Sequence, residues 1–278
     1  MSANQQEAQI TAMITDTITA TITLITITMT MIMNPMSIDA VTRSEEMPLP
    51  SSQALKGAAL VRLLTWLSPA FPLGSFSYSH GLETAISEGI CHDRESVGDW
   101  LGHLLTMGSA RSDAILLAHG WRIGAGDRAA WIALNELALA LCASKERHME
   151  TSQQGMAFFR ASAAWPGPLQ EQIEAAAPEA IALPVILGAI ARENDIGQDS
   201  ILIASLHAFA SNLISVAMRL VPLGQSDGLR LQAQLEATII ATATEAATAS
   251  LDDLGTSCFH SDIAAMRHET LHTRIFRS

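Results

Sequence analysis

Apolar side chains recur every three or four residues along most of the chain after residue 53, which is the period of a helix with one buried face. The pattern is clearest over residues 199–220, where another face carries only small side chains. We therefore predict a central helix here, with neighbours on both sides, and a hydrogen-bond partner for Asn212, which lies among the apolar residues. The apolar positions of its main stripe are Leu202, Leu206, Phe209, Leu213, Val216 and Leu220.

Shorter stretches with the same period are bounded by proline, glycine or a capping residue and predict further helices. No convincing strand pattern occurs after residue 52. The predicted fold is therefore all-α, a single domain of about ten helices in an irregular bundle over residues 53–278. The further helical stretches are 54–67, 77–88, one that opens at Asp93, 109–123, 127–143, 144–164, 169–177, 183–193, 229–249 and a helical stripe within 263–278.

The first 52 residues follow a different pattern. Between residues 10 and 33, threonine alternates with isoleucine, alanine, leucine and methionine, a period of two and a low-complexity composition. The repeated hydroxyls and Asp16 make this stretch a weak candidate for a membrane span. Residues 1–52 are predicted to be a disordered or aggregation-prone extension, and Met36 or Met47 is an alternative start of the functional protein.

Charge and cysteine usage exclude several classes of protein. A formal net charge of −12 argues against general nucleic-acid binding, which needs a surplus of lysine and arginine. Lys56 and Lys145 are the only lysines and neither lies in a phosphate-binding P-loop, so the chain is not expected to be a P-loop NTPase. Cys91, Cys142 and Cys258 are odd in number and widely spaced, which argues against a disulfide framework and favours a reducing cytoplasm.

One loop stands out from the helices around it. Residues 68–84, SPAFPLGSFSYSHGLET, combine two prolines and a glycine with a dense run of aromatic and hydroxyl side chains. The hydroxyl of Ser77 or Ser79 is suited to capping the following helix. Phe76 and Tyr78 are large enough either to plug the core or to contact a partner. The loop is therefore either a core plug or a docking edge.

The chain contains a literal His-Glu-x-x-His motif at residues 268–272. On a helix, His268 and His272 would lie one turn apart with Glu269 beside them, as a zinc hydrolase requires. Such a site needs a third protein ligand, and no histidine or glutamate follows before Ser278. A zinc-dependent hydrolase remains one alternative, and a generic helical interaction domain is another.

The C-terminal segment is basic although the chain as a whole is acidic. Arg274 and Arg277 interleave with Ile275 and Phe276, and Arg267 lies on the same helical stripe as the two later arginines. Arginine presents a planar fork that suits carboxylates and interface pairs. Three arginines among apolar side chains therefore predict an ordered docking tail.

Four separated segments together resemble the F-type urease accessory proteins. They are SPAFPLGSFSYSHGLET at 68–84, the segment 150–155, NLISVAMRLVPLGQSDG at 212–228 and IAAMRHETLHTRIFRS at 263–278. The similarity extends in matching order over about residues 54–278 and leaves out the N-terminal extension. Where the family tail commonly has an aromatic residue, this chain has His272, and that departure creates the His-Glu-x-x-His match.

The resemblance implies an all-helical, dimer-forming, non-enzymatic chaperone for the maturation of nickel urease. In that family the protein bridges a D/H-type accessory scaffold and a G-type accessory GTPase, and the assembly delivers nickel to apo-urease. It further implies that no cofactor is bound stably and that the complex handles the nickel. Neither nucleic acid nor a membrane is an expected partner.

The resemblance also assigns site residues. Phe76 and Arg274 match positions that the family associates with partner recruitment, and the tail from His268 to Ser278 would dock onto the scaffold and help to form the GTPase-binding surface. No catalytic or metal-binding residue is implied. The predicted partner-binding residues are Phe76, Tyr78, His268, Glu269, Arg274, Ile275, Phe276, Arg277 and Ser278.

Overall fold

The computed structural model describes residues 57–176 and 178–278. The predicted extension over residues 1–52 lies outside this part, so its character stays a prediction. The α-helices of the described part are α1 Gly57–Trp66, α2 Leu82–Ser87, α3 Arg94–Met107, α4 Ser109–Ile123, α5 Arg128–Ala140, α6 Lys145–Ser162, α7 Pro168–Ala176, α8 Leu183–Glu193, α9 Gln198–Leu220, α10 Gln225–Ala246 and α11 Phe259–His268.

Helices and their connections make up the whole of the described part, which contains no strand. Short 3₁₀ turns occur at Ser75–Ser77, inside the aromatic loop, and at Leu251–Asp253, before α11. The predicted all-α class is therefore confirmed. Several helix starts follow from their first residues: the side chains of Asp93, Asp127 and Ser144 accept hydrogen bonds from the first turns of α3, α5 and α6.

Helix α9 lies at the centre of the bundle, as its sequence predicts, and contacts α2, α3, α4, α8 and α10. Leu202, Leu206, Leu213 and Val216 of the predicted stripe are buried. Of the helices in residues 57–176 and 178–278, α9 is the one whose length and mean hydropathy of 1.8 would suffice to cross a membrane. Asn212, on the same helix, donates a hydrogen bond to the main-chain oxygen of Tyr78 at 3.3 Å, which is the partner its surroundings require.

Glycines allow the closest helix contacts. Gly188 of α8 lies against the backbone of α4, where a β-carbon would collide with the main-chain oxygen of Leu117. Gly155 of α6 lies against the main chain of Ile181, just before α8. This close approach explains why a glycine is tolerated in the interior of α6, where it costs about 1 kcal/mol relative to alanine.

Two predicted boundaries are wrong. Helix α10 begins at Gln225, four residues before the predicted helical stretch 229–249. There the carboxylate of Asp227 accepts a hydrogen bond from the Gly224 amide at 3.3 Å and caps the helix. At the other end of the chain, α11 stops at His268, and the predicted helical stripe does not continue to Ile275.

Candidate functional site

The C-terminal tail, residues 269–278, packs against the aromatic loop, residues 68–81. The amide of Arg277 donates to the main-chain oxygen of Ser77 at 2.7 Å, and the amide of Ser79 donates to that of Ser278 at 2.7 Å. The hydroxyl of Ser79 also donates to the Ser278 oxygen. Two segments almost two hundred residues apart in sequence thus form one unit, which we call the loop–tail surface.

Glu83, in the first turn of α2, binds the backbone of the tail. Its carboxylate accepts hydrogen bonds from the amides of Ile275 and Phe276, at 2.7 and 3.0 Å. The same carboxylate lies 3.0 Å from Nε2 of His268. Just after the helix end at His268, the amides of Thr270 and Leu271 donate to the main-chain oxygens of Arg267 and His268, and the later part of the tail is bound by Glu83.

His268 is fully buried and lies between two carboxylates. On the side opposite Glu83, its Nδ1 lies 2.7 Å from a carboxylate oxygen of Glu146, in the first turn of α6. The other oxygen of Glu146 accepts a hydrogen bond from Arg274 at 2.6 Å. We call Glu83, His268 and Glu146 the latch cluster. It joins α2, α6, α11 and the tail.

A second buried group of charges, the His80 cluster, lies next to the latch cluster along α6. Nε2 of His80 lies 2.8 Å from one oxygen of Glu150, and Arg147 donates to the other oxygen at 2.6 Å. Arg147 also reaches Asp113 at 3.2 Å. Burial raises the pKa of Glu150, but the charges of His80 and Arg147 outweigh it and lower that pKa to about 2.

A cavity of about 430 Å³ adjoins the His80 cluster. It lies between α1, the aromatic loop, α6 and α9. Its lining includes two aromatic rings, the members of the His80 cluster on the loop and on α6, and a polar side chain of α9. These residues are Trp66, Phe76, His80, Arg147, Glu150 and Asn212.

The predicted partner-binding residues divide into exposed and buried sets. Phe76 and Ile275 are 60% and 70% exposed, although both are large and apolar. Glu269, Arg274 and Arg277 are also exposed. The buried set is Tyr78, His268, Phe276 and Ser278.

The buried residues anchor the loop–tail surface to the bundle. The hydroxyl of Tyr78 donates to Gln153 of α6 at 2.8 Å. Phe276 packs beneath Arg219 of α9, whose guanidinium carbon lies 6.0 Å from the ring centre. Tyr78 is thus a core residue, whereas Phe76 is available to a partner. The loop therefore combines the two alternatives predicted from its sequence: it fills the core at Tyr78 and forms an exposed edge at Phe76.

The predicted capping of α2 is fulfilled in an unexpected way. Gly81 occupies the N-cap position with φ of 76° and makes no side-chain cap. A side chain there would collide with the main chain of Ala265 in α11, so only glycine fits. Ser79, two residues earlier, accepts a long hydrogen bond of 3.4 Å from the Glu83 amide while its hydroxyl donates to Ser278.

The geometry required for the zinc-hydrolase alternative is not present. Helix α11 ends at the first histidine of the motif, so the expectation that a helix presents both imidazoles is wrong. Both ring nitrogens of His268 already face carboxylates, and His272 is exposed on the tail. Glu269 caps α6 instead, accepting a hydrogen bond from the Lys145 amide at 2.9 Å. Within residues 57–176 and 178–278, no group of three or more histidine, cysteine, aspartate or glutamate residues could hold a metal ion.

Sequence reasoning missed Glu83, Glu146, Arg147 and Glu150. Each lies in a helical stretch where a charged residue normally faces solvent, and their partners lie far away in sequence. One signal was available, because the predicted helix 144–164 is unusually polar. A polar helix in an otherwise apolar chain can bury paired charges. The sequence did not indicate the partners.

Several known proteins are similar to this chain over most of its length. The UreF family model matches residues 91–236. A protein named urease accessory protein UreF from Rhodopseudomonas palustris strain TIE-1 is 48% identical over 233 residues, which cover 83% of this chain and 96% of that protein. A UreF from Mesorhizobium japonicum is 47% identical over 222 residues, 79% of this chain and 96% of that protein.

A third relative, the UreF of Methylobacterium sp. strain 4-46, is 48% identical over 218 residues, 78% of this chain and 87% of that protein. These matches span the helical part of the chain that the sequence resemblance covers. Their identity is far above the level at which only a fold is shared. The chain therefore belongs to the UreF family of urease accessory proteins.

Proposed function

We propose that this protein is a maturation chaperone that bridges the D/H-type accessory scaffold and the G-type accessory GTPase in the complex that delivers nickel to apo-urease. Membership of the UreF family carries the general role in urease maturation. The bridging role is supported by one observation above all: Phe76 and Ile275 are exposed apolar side chains on two segments that hydrogen bonds hold together.

The loop–tail surface is suited to recruitment because it is ordered before a partner arrives. Its backbone hydrogen bonds and the latch cluster fix both segments, so a partner would lose less conformational entropy on binding. Large apolar side chains at the centre of an interface, surrounded by polar groups, commonly supply most of the binding energy. Phe76 and Ile275 would have that role, with Arg274 and Arg277 at the polar rim.

Two further apolar stripes are suited to the remaining contacts. Leu60, Val61 and Leu64 are exposed along α1, and we assign this stripe to a homodimer. Phe259, Ile263 and Met266 are exposed along α11, next to the tail, and we assign that stripe to the scaffold. Exposed apolar patches of this kind mark interaction sites on folded proteins.

In this proposal the chain performs no catalysis and binds no cofactor stably. The GTPase supplies the nucleotide chemistry, which agrees with the absence of a P-loop from this sequence. Nickel is the cargo of the assembled complex and passes between proteins towards apo-urease. The site of action is the cytoplasm, which agrees with three unpaired cysteines in the sequence.

Co-expression with the scaffold and the GTPase tests the bridge. Phe76→Ala should reduce capture of the GTPase by the scaffold-bound protein about tenfold or more, because a central aromatic anchor is lost. Ile240→Ala is the matched control. Ile240 is 53% exposed and lies on α10, which packs mainly against α3, α4 and α9. Equal capture by both variants would overturn the assignment of Phe76.

Point substitutions test recruitment more specifically than removal of the whole tail. Deletion of residues 268–278 is expected to abolish recruitment and leave a folded helical dimer. It also leaves the buried carboxylates of Glu83 and Glu146 without their partners, and this weakens the bundle itself. Loss of recruitment in Phe76→Ala without loss of helical content separates the two effects.

A further inference from the structure

The latch cluster contains a histidine whose two ring nitrogens both face carboxylate oxygens. Nδ1 lies 2.7 Å from Glu146, and Nε2 lies 3.0 Å from Glu83. An ionised carboxylate only accepts hydrogen bonds, whereas a neutral imidazole has a single N–H. Both contacts are hydrogen bonds only when both ring nitrogens carry a proton. Between two ionised carboxylates, the geometry therefore requires His268 to be an imidazolium.

The charges of the cluster balance only in that state. The charged groups that face the cluster within the described residues are Glu83 from α2, Glu146 from α6 and Arg274 from the tail. With a protonated His268, two negative charges meet two positive charges. With a neutral His268, the cluster keeps an uncompensated negative charge, and the side chains of Glu83 and Glu146 are only 7% and 10% exposed. An unpaired buried charge of this kind is strongly unfavourable.

The same two carboxylates also hold the tail. Glu83 accepts the amides of Ile275 and Phe276, and Glu146 accepts the side chain of Arg274. If His268 loses one proton, a ring lone pair faces a carboxylate oxygen at hydrogen-bond distance, and the two repel each other. The carboxylate can relieve the repulsion only by turning towards water, which breaks its bonds to the tail.

We propose that Glu83, His268 and Glu146 form a proton-dependent latch that holds the C-terminal tail against the bundle. The tail is docked when His268 is an imidazolium and released when it is neutral. Glu83 and Glu146 are positioning residues, because they act on the loop–tail surface through the tail that they hold. Tail release would separate Ile275 from Phe76 and dismantle the surface assigned to the GTPase.

The first test measures protonation and tail docking in the same sample of the full chain, without any partner. Two-dimensional ¹H–¹⁵N spectra report the state of both ring nitrogens of His268, and hydrogen exchange reports protection of the Ile275 and Phe276 amides. As the pH is raised, protection relative to the unfolded rate should fall about tenfold or more in the samples whose spectra show a neutral His268. Tail amides that stay protected beside a neutral His268 would overturn the latch.

Three variants separate the latch from a merely structural role. His268→Gln cannot carry the charge, so the tail should exchange freely at every pH; His272→Gln, which alters an exposed histidine of the same tail, should behave like the unaltered protein. Glu146→Gln removes one negative charge and can donate to the ring, so the tail should stay docked and lose its pH dependence. An unchanged pH dependence in Glu146→Gln would contradict the mechanism even if His268→Gln failed to fold.

The inference is independent of partner binding, although its functional consequence rests on the proposed recruitment role. A tail that opens with pH while GTPase capture stays constant would refute the recruitment role and leave the latch intact. A tail that stays docked at every pH would refute the latch and leave the recruitment role untouched.

Discussion

Two buried histidines lie beside the loop–tail surface, and their surroundings differ in one respect. His80 shares Glu150 with Arg147, a cation that keeps its charge at every relevant pH. His268 lies between Glu83 and Glu146, and Arg274 binds only Glu146, so Glu83 depends on the histidine itself. Arg147 thus pairs with both carboxylates of the His80 cluster, whereas Glu83 of the latch cluster has His268 as its charged side-chain partner.

This difference shows that one helix can contribute to both a fixed charge cluster and the proton-dependent latch. Helix α6 supplies Glu146 to the latch cluster and, one turn later, Glu150 to the His80 cluster. Burial is similar at the two carboxylates, so burial alone does not decide the behaviour. The reach of the arginine does: Arg147 pairs with both Asp113 and Glu150, whereas Arg274 pairs only with Glu146. The predictions below address this comparison, from the largest expected effect to the smallest.

The largest expected effect is that of Glu150→Ala. It leaves the buried Arg147 with only the partly exposed Asp113, so we expect a loss of about 3–5 kcal/mol in the free energy of unfolding, measured by urea denaturation. Glu245→Ala is the control: it removes a carboxylate that is 55% exposed from its pair with Arg111, and should cost under about 1 kcal/mol. Similar costs for both would mean that the His80 cluster is not a structural pair.

Acid should reveal the same pair in the unaltered protein. The pKa of Glu150 is lowered from 4.5 to about 2, so its stabilising contribution is complete above about pH 4.5 and is lost as the pH falls towards 2. That contribution is roughly 3 kcal/mol at most. Glu150→Gln has no carboxylate to protonate, so the stability difference between it and the unaltered protein should shrink between about pH 5 and about pH 3. A constant difference would contradict the lowered pKa.

A smaller effect is expected at Arg274, the fixed cation of the latch cluster. Its side chain is 44% exposed, so Arg274→Gln should cost only about 1 kcal/mol in global stability. It should nevertheless loosen the tail, because Glu146 loses one of its two positive partners. Hydrogen exchange of the Phe276 amide measures this. An unchanged tail would show that Arg274 contributes to recruitment and not to docking.

The smallest effect on stability is expected at Ile275, on the outer side of the tail. Because this side chain is 70% exposed, Ile275→Ala should change the free energy of unfolding by under about 0.5 kcal/mol. Capture of the GTPase in the presence of the scaffold should still fall. A stability loss as large as that of Glu150→Ala would show that Ile275 belongs to the core.

The bundle could be predicted from the sequence further than the site could. Helical periodicity in α9 identifies a central helix because burial of one face is encoded locally. The course of the tail after α11 could not be predicted in this way, because it depends on Glu83, a residue 185 positions from His268 in sequence. A pattern of apolar residues does not indicate which distant carboxylate will accept a hydrogen bond from a given amide.

The exposed part of the site was accessible for a different reason. Phe76 and Ile275 are apolar residues in segments rich in proline, glycine or arginine, which predicted contact with a partner for both residues. Their exposure agrees with that interpretation. Their neighbours Tyr78 and Phe276 have the same chemistry but are buried, a distinction that depends on packing against Gln153 and Arg219 and not on local sequence.

The most direct test of the account is hydrogen exchange of the full chain carrying Glu83→Gln, because the central claim is that the loop and the tail are one unit held by this carboxylate. Glutamine keeps one acceptor oxygen, so its NH2 group must face either the amide of Ile275 or the donors of Phe276 and His268. We predict that the amides of Ser79, Ile275 and Arg277 lose protection together while those of α9 keep it. A tail that stays protected in this variant, or a tail that opens while Ser79 stays protected, would contradict the account.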